Sequence, residues 1–196
     1  MKDRVKFVCL SMLIALVWVQ PAAAAAAKLV WDYNVVIDQT CVRTPFGPPP
    51  ATGFDPGTKA LLLPSEPLTA TGTGVLRFQD GGVVTLENGL QTEVSMTQTG
   101  VGQIPVTPPA AFRCEGTYTV DGRDLALTLT CEVPTGNPNV KISVGPQNFE
   151  GQISLNGHSI DLTNIAGDIQ TISVLVSDFP VQERQRICTQ HASAVR

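Results

Sequence analysis

The sequence is poor in aromatic and basic residues, and it has no long segment with helical periodicity. Only 6% of its residues are aromatic, two are histidine, and 13 Lys and Arg stand against 17 Asp and Glu. No basic run occurs, so nucleic acid and anionic membrane surfaces are poor partners. A stacking platform for sugars or bases needs several aromatics on one exposed face. Trp31, Tyr33, Phe112 and Tyr118 are too few for that and read as core. No G-x-S-x-G elbow, no Gly-rich phosphate loop before a helix and no C-x-x-C pair is present, which removes the usual hydrolase, nucleotide and zinc-ribbon or redox signatures. His158 and His191 are far apart, with no acid cluster beside either, so no metal site is expected. The carboxylates are scattered, and Asp121 and Asp124 flank a turn, where such residues serve turn chemistry. No catalytic residue, cofactor or metal is assigned, and an enzyme is not the expected class.

No apolar run reaches the roughly 20 residues of a spanning helix. The longest is Phe7 to Val19, 13 residues. Lys2, Arg4 and Lys6 precede it, and Pro21 and six alanines, Ala22 to Ala27, follow. A positive start, a short apolar core and small residues at the end make a secretory signal peptide, with cleavage expected between about Ala24 and Ala27. The expected mature chain is one β domain over 28–196, periplasmic or secreted, with no membrane span once the signal is removed. Removing residues 1 to 27 leaves 10 Lys and Arg against 16 Asp and Glu, net −6. Four of the five cysteines remain: Cys41, Cys114, Cys131 and Cys188. An even number in an exported chain points to two disulfides.

What is abundant is Gly, Pro, Thr and Val in short alternating runs divided by turn dipeptides, the pattern of strands. Trp31, Tyr33, Val35 and Ile37 share one face of a first strand. A long Pro-rich connection, residues 43–69, follows and holds Leu61, Leu62 and Leu63. Gly74 to Phe78 turns at Asp80-Gly81-Gly82 into Val83 to Leu86, opposing Phe78 to Val84 and Leu76 to Leu86. Asn88-Gly89 reads as a further turn, into a strand over 92–98. After a second loop come Phe112 to Val120, then Leu125 to Val133, then Val140 to Val144. Phe149 to Leu155 turns at Asn156-Gly157 into 158–163, and Ile169 to Val176 is the last strand, with His191 in a polar tail. Eight or nine strands in sequential antiparallel order predict an all-β, up-and-down meander closing into a barrel, which removes exposed edges. A two-sheet β-sandwich is the alternative.

Hairpin register predicts the disulfides. With Gly122-Arg123 as a two-residue type II′ turn, Asp121 opposes Asp124, Tyr118 opposes Leu127 and Gly116 opposes Leu129. Cys114 then faces Cys131 at a non-hydrogen-bonded site, where Cα atoms approach to about 4.5 Å. A type I′ turn at Asp121-Gly122 would instead set Cys114 against Leu129. Cys41 and Cys188 are left for each other, and in a closed meander they would lock the seam between the first and last strands.

The segments GVLRFQDGG and CEGTYTVDGRDLALTLTC, within Gly74 to Cys131, and the hairpin over 149–163 share one rhythm. A Gly opens an alternating strand that ends in an Asp-Gly or Asn-Gly turn. In this the chain resembles exported bacterial proteins with a calycin-like, or lipocalin-like, β-barrel. That resemblance implies a barrel and assigns no activity.

The expected function is an exported, soluble binding module holding a small apolar molecule in the barrel. Leu61, Leu62 and Leu63 would cap the mouth, His158 would face a mouth, and Gly116 and Gly151 on the inner face would leave room. The alternative is a protein-interaction or structural envelope module with a filled core, in which the Leu triplet docks an envelope protein.

Overall fold

The computed structural model describes residues 29, 31–95 and 109–196. The expected signal peptide over 1–27 and most of the second loop lie outside the described residues. Among the described residues there are nine strands: β1 (Asp32–Arg43), β2 (Glu66–Gln79), β3 (Val83–Ser95), β4 (Ala110–Asp121), β5 (Asp124–Val133), β6 (Val140–Ile153), β7 (Ser159–Asn164), β8 (Ile169–Val176) and β9 (Gln182–Val195). Among the described residues there is no helix long and apolar enough to cross a membrane.

Each strand from β1 to β6 pairs antiparallel with the next, β7 pairs with β9, and β9 returns to β1, so the sheet closes. β7 and β8 occupy one stave of the barrel. The second half of β6 pairs with β7 and its first half with β8, while β9 pairs with both. The result is an eight-staved, up-and-down barrel whose seventh stave is interrupted at residues 165–168. A continuous ring of ladders excludes the sandwich. The architecture is compatible with a calycin-like barrel.

The expected registers hold at two hairpins. Phe78 opposes Val84 and Leu76 opposes Leu86. Asp121 opposes Asp124, and the ladder runs through Tyr118 with Leu127 and Gly116 with Leu129 to Cys114 with Cys131. Gly122 has φ of +62°, and Arg123 is not among the residues with positive φ, as a type II′ turn requires. Cys114 and Cys131 lie at disulfide distance, and so do Cys41 and Cys188, which oppose each other directly across the β1–β9 seam.

Three expectations are corrected. Asn88-Gly89 is not a turn. It is a bulge inside β3, where the register to both neighbours shifts and Asn88 takes a φ of +53°. A type I′ turn needs positive φ at both residues, whereas here Asn88 alone takes it, as a bulge allows, and an Asn-Gly dipeptide suits either, so the dipeptide alone does not discriminate. The chain does not end in a polar tail after β8. Residues 182–195 form β9, and His191 lies on it. Trp31 is not core: it is 53% exposed, with the Arg196 guanidinium 4.0 Å above its ring.

Turns 80–82, 122–123 and 154–158 gather at one end, the tight-turn end. The connections 44–65, 134–139 and 177–181 gather at the other, the loop end. From the tight-turn end to mid-height the interior is apolar and filled. Tyr33, Phe78 and Tyr118 stack edge to face, and Leu29 is buried with them. The Tyr33 hydroxyl donates to the Gly157 carbonyl at 2.7 Å, giving the buried phenol its partner.

Candidate functional site

Toward the loop end the inner face changes character. Side chains alternate along each strand, so Gln39, Cys41 and Arg43 of β1 face inward with Arg184, Arg186, Cys188 and Gln190 of β9. Gln147 of β6 and Gln170 of β8 complete a buried polar layer, in which Gln170 is fully covered and Arg186 only 4% exposed. Buried polar groups demand partners, and these form a chain. Arg186 Nε donates to Gln170 Oε1 at 2.7 Å. Gln170 Nε2 donates to Gln190 Oε1 at 3.0 Å. Gln190 Nε2 donates to Gln39 Oε1 at 2.6 Å and to Gln147 Oε1 at 3.1 Å, and Gln147 Nε2 lies 3.1 Å from Cys131 Sγ.

The broken stave contributes here. Between the β7 and β8 ladders, β9 residues 188–190 lack backbone partners on that side. The Asn164 side chain replaces them, donating to the Cys188 carbonyl at 2.6 Å and accepting from Gln190 N at 2.7 Å. Backbone groups left by an interrupted ladder are costly to bury unpaired, which explains an asparagine facing inward at this point.

Next to the chain lies a cavity of about 40 Å³, bordered by Gln39, Gln91, Phe112, Gln147, Arg186 and Gln190. Nearer the loop end Arg43 binds Glu66 at 2.8 Å and Glu93 at 3.0 Å, and Glu93 accepts from Gln91 at 2.9 Å. Arg184 stacks on Phe46, 4.4 Å from the ring centroid. Three guanidinium groups thus face two carboxylates, and both carboxylates are bonded to Arg43. Burial pushes Arg186 down to about 10, and Arg184 also to about 10 through burial and then the repulsion of Arg43. Both remain cationic at neutral pH.

The residues expected to bind ligand are not brought together. His158 follows the 154–158 turn at the tight-turn end and is exposed, whereas Leu61, Leu62 and Leu63 belong to the loop-end connection. That connection is strapped to β9. Gly47 exchanges two 2.8 Å backbone bonds with Glu183, Ala51 N donates to the Glu183 carboxylate, and Phe54 N donates to Gln185 Oε1. Glu183 and Gln185 alternate with the inward arginines, so the strap follows the outer wall. Phe54 is its buried anchor, while Leu61, Leu62 and Leu63 remain 41 to 58% exposed. Gly116 and Gly151 do not open space in the barrel. A Cβ on either would meet backbone oxygen of the adjacent strand at 1.8 or 1.9 Å, so these glycines allow close strand approach.

Two larger hollows are open grooves on the surface. One, of about 530 Å³, adjoins the β5–β6 turn and includes Arg113, Glu132 and Lys141. The other, of about 490 Å³, runs over β4 to β7 past Asp121, Asp124, Glu150 and Thr163. Among the described residues, no three His, Cys, Asp or Glu side chains gather as metal ligands.

The candidate site residues that sequence reading passed over are Gln39, Gln147, Gln170, Arg186 and Gln190. Polar residues at inward positions erase the apolar alternation by which a strand is recognised. The available signal was the spacing of Arg184, Arg186, Cys188 and Gln190 at every second residue, with Cys188 expected at the seam. No protein-family model matches the chain, and neither a curated protein nor a solved structure matches it.

Proposed function

We propose that this chain is an exported binding module whose ligand site is the polar chamber at the loop end of the barrel. A small polar molecule suits it better than an apolar one. The observation that carries this reading is Arg186. It is buried on the barrel's inner face, it makes one side-chain hydrogen bond among the described residues, and it borders the cavity. Its terminal nitrogens have no protein acceptor among the described residues and are not sealed from solvent, so a buried cation open to the cavity in this way suits an occupant that supplies acceptors. The apolar part of the interior argues against the apolar ligand. It is occupied by its own side chains, and 40 Å³ is far below the few hundred Å³ typical of sites for drug-sized molecules.

The test is amide-detected NMR on the labelled chain, titrated with a panel of small polar molecules. Resonances around Gln39, Gln91, Gln147 and Gln190 should move together. Shifts confined to the strap or the outer grooves would overturn the reading. A second reading, a protein-interaction or structural envelope module, is favoured by the exposed Leu61, Leu62 and Leu63 on an ordered strap. Under that reading the NMR titration leaves the chamber unmoved.

A further inference from the structure

The hydrogen-bond chain has a direction, and the direction says what the cavity lacks. A guanidinium can only donate. The bond from Arg186 therefore fixes the near atom of Gln170 as its oxygen, and the Gln170 amide nitrogen must donate onward. Gln190 is oriented in turn, and its nitrogen donates to both Gln39 and Gln147. At each step the acceptor is consumed inside the chain and a donor is passed outward. The Gln39 amide nitrogen and the two terminal nitrogens of Arg186 make no hydrogen bond among the described residues. Donors accumulate at the cavity, and the excess guanidinium there adds positive charge.

Shape narrows the class. Because Nε is committed to Gln170, the open edge of Arg186 is its terminal pair of nitrogens. A fork of this kind matches the two oxygens of a carboxylate. The volume has room for about three waters at 10 to 15 Å³ each, which suits a headgroup with at most a short tail. Phe112 and Ile37 supply an apolar border for such a tail.

We infer that the chamber binds a short-chain carboxylate of formate or acetate size, held by Arg186 and the Gln39 amide. This deepens the proposed function and rests on its placement of the site in the chamber. The two oxygens take the donors that the protein leaves open, and the anion balances the third guanidinium.

The test compares the folded chain with two variants by calorimetric titration and thermal melting. Ionic strength is held constant with a sulfonate too bulky to enter. Acetate and formate should bind and raise the melting temperature, and acetamide, the neutral analogue of acetate, should not. Gln39→Leu should keep the barrel's circular dichroism and bind acetate about tenfold more weakly, as loss of one hydrogen bond to a charged group implies. Arg186→Met should not bind it. If Arg186→Met fails to fold, Gln39→Leu still decides. A folded Gln39→Leu with unchanged acetate affinity overturns the proposal. Equal binding of acetamide overturns the charge assignment and leaves the chamber a site for neutral polar molecules. Equal binding of chloride overturns the carboxylate. If acetate binds but NMR places its shifts outside the chamber, the proposed function falls with it.

Discussion

At the scale of single residues, Arg186 and Gly116 show how the interior is specified. Arg186 lies below its ordinary value because burial disfavours its charged form, with Glu93 opposing the shift and Arg184 and Arg43 adding to it. The native state therefore holds this proton less tightly than the unfolded chain. The resulting destabilisation is fully present at neutral pH and is relieved only as pH rises above about 10, the native value. Anion affinity follows the opposite course. The charged groups acting on Arg186 are Glu93 on β3, Arg184 on β9 and Arg43 on β1, and Glu66 on β2 is bonded to Arg43. With Arg186 cationic, acetate affinity should be flat from pH 7 to 9 and fall as pH passes about 10, read by titration calorimetry. Gly116 gives a prediction of a different kind. Gly116→Ala forces a Cβ against the Thr128 carbonyl, and the neighbour is backbone, which cannot rotate away. The β4–β5 ladder must shift, so urea unfolding should show a loss of about 3 kcal/mol, the upper range for overpacking.

At the scale of elements, the two cysteine pairs and the strap make separable contributions. Cys114 and Cys131 enclose a separation of 17 residues, and Cys41 and Cys188 one of 147. On a chain-entropy account the first is worth about 3 kcal/mol and the second about 5. The paired Cys→Ala variants should therefore lose unequal amounts in urea, the seam pair more. The seam pair is also flanked by buried Leu68 and Ala70, so its loss opens the second apolar cluster as well. In the strap the burden falls on Phe54, which is 5% exposed, and not on the leucines. Phe54→Ala should release the strap to limited proteolysis between residues 44 and 65 while the barrel's circular dichroism persists, because the strands close without it. Replacing Leu61, Leu62 and Leu63 together by Ser should leave the melting temperature within a few degrees. If the triple variant unfolds, the leucines are structural.

For the whole molecule, closure and the proposed export are linked by chemistry. A barrel with a bonded seam needs an oxidising compartment for its cysteines, and the leader over residues 1–27 is the proposed route there. N-terminal sequencing of the exported form should begin between about Ala24 and Lys28. Recovery of Met1 would defeat the proposed cleavage. Because β9 closes the ring against β1 and against β7 and β8, a truncation before Gln182 removes a stave and leaves two edges open. Such a truncated chain should aggregate, seen by light scattering, since exposed edges pair with other chains.

The sequence by itself determined the strands whose inner faces are apolar. In Phe112 to Val133 the alternation put everything apolar on one face in either of two registers, and the structure has the one with the turn at Gly122-Arg123, in which Cys114 meets Cys131. It also determined the seam pairing, because two cysteines near the chain's outer strands had only each other. Only the tertiary structure decided that residues 182–195 form a strand, since their inward positions carry Arg, Gln and Ala and no apolar period marks them. Only it decided that Asn88-Gly89 bends a strand, because an Asn-Gly dipeptide serves a turn and a bulge alike, and the bulge takes the left-handed conformation at Asn88 alone. The chamber likewise has no local signature. Gln39, Gln147, Gln170 and Arg186 stand on four strands spread over nearly 150 residues. What makes each of them favourable where it is buried is a hydrogen-bond partner that arrives only when the ring closes.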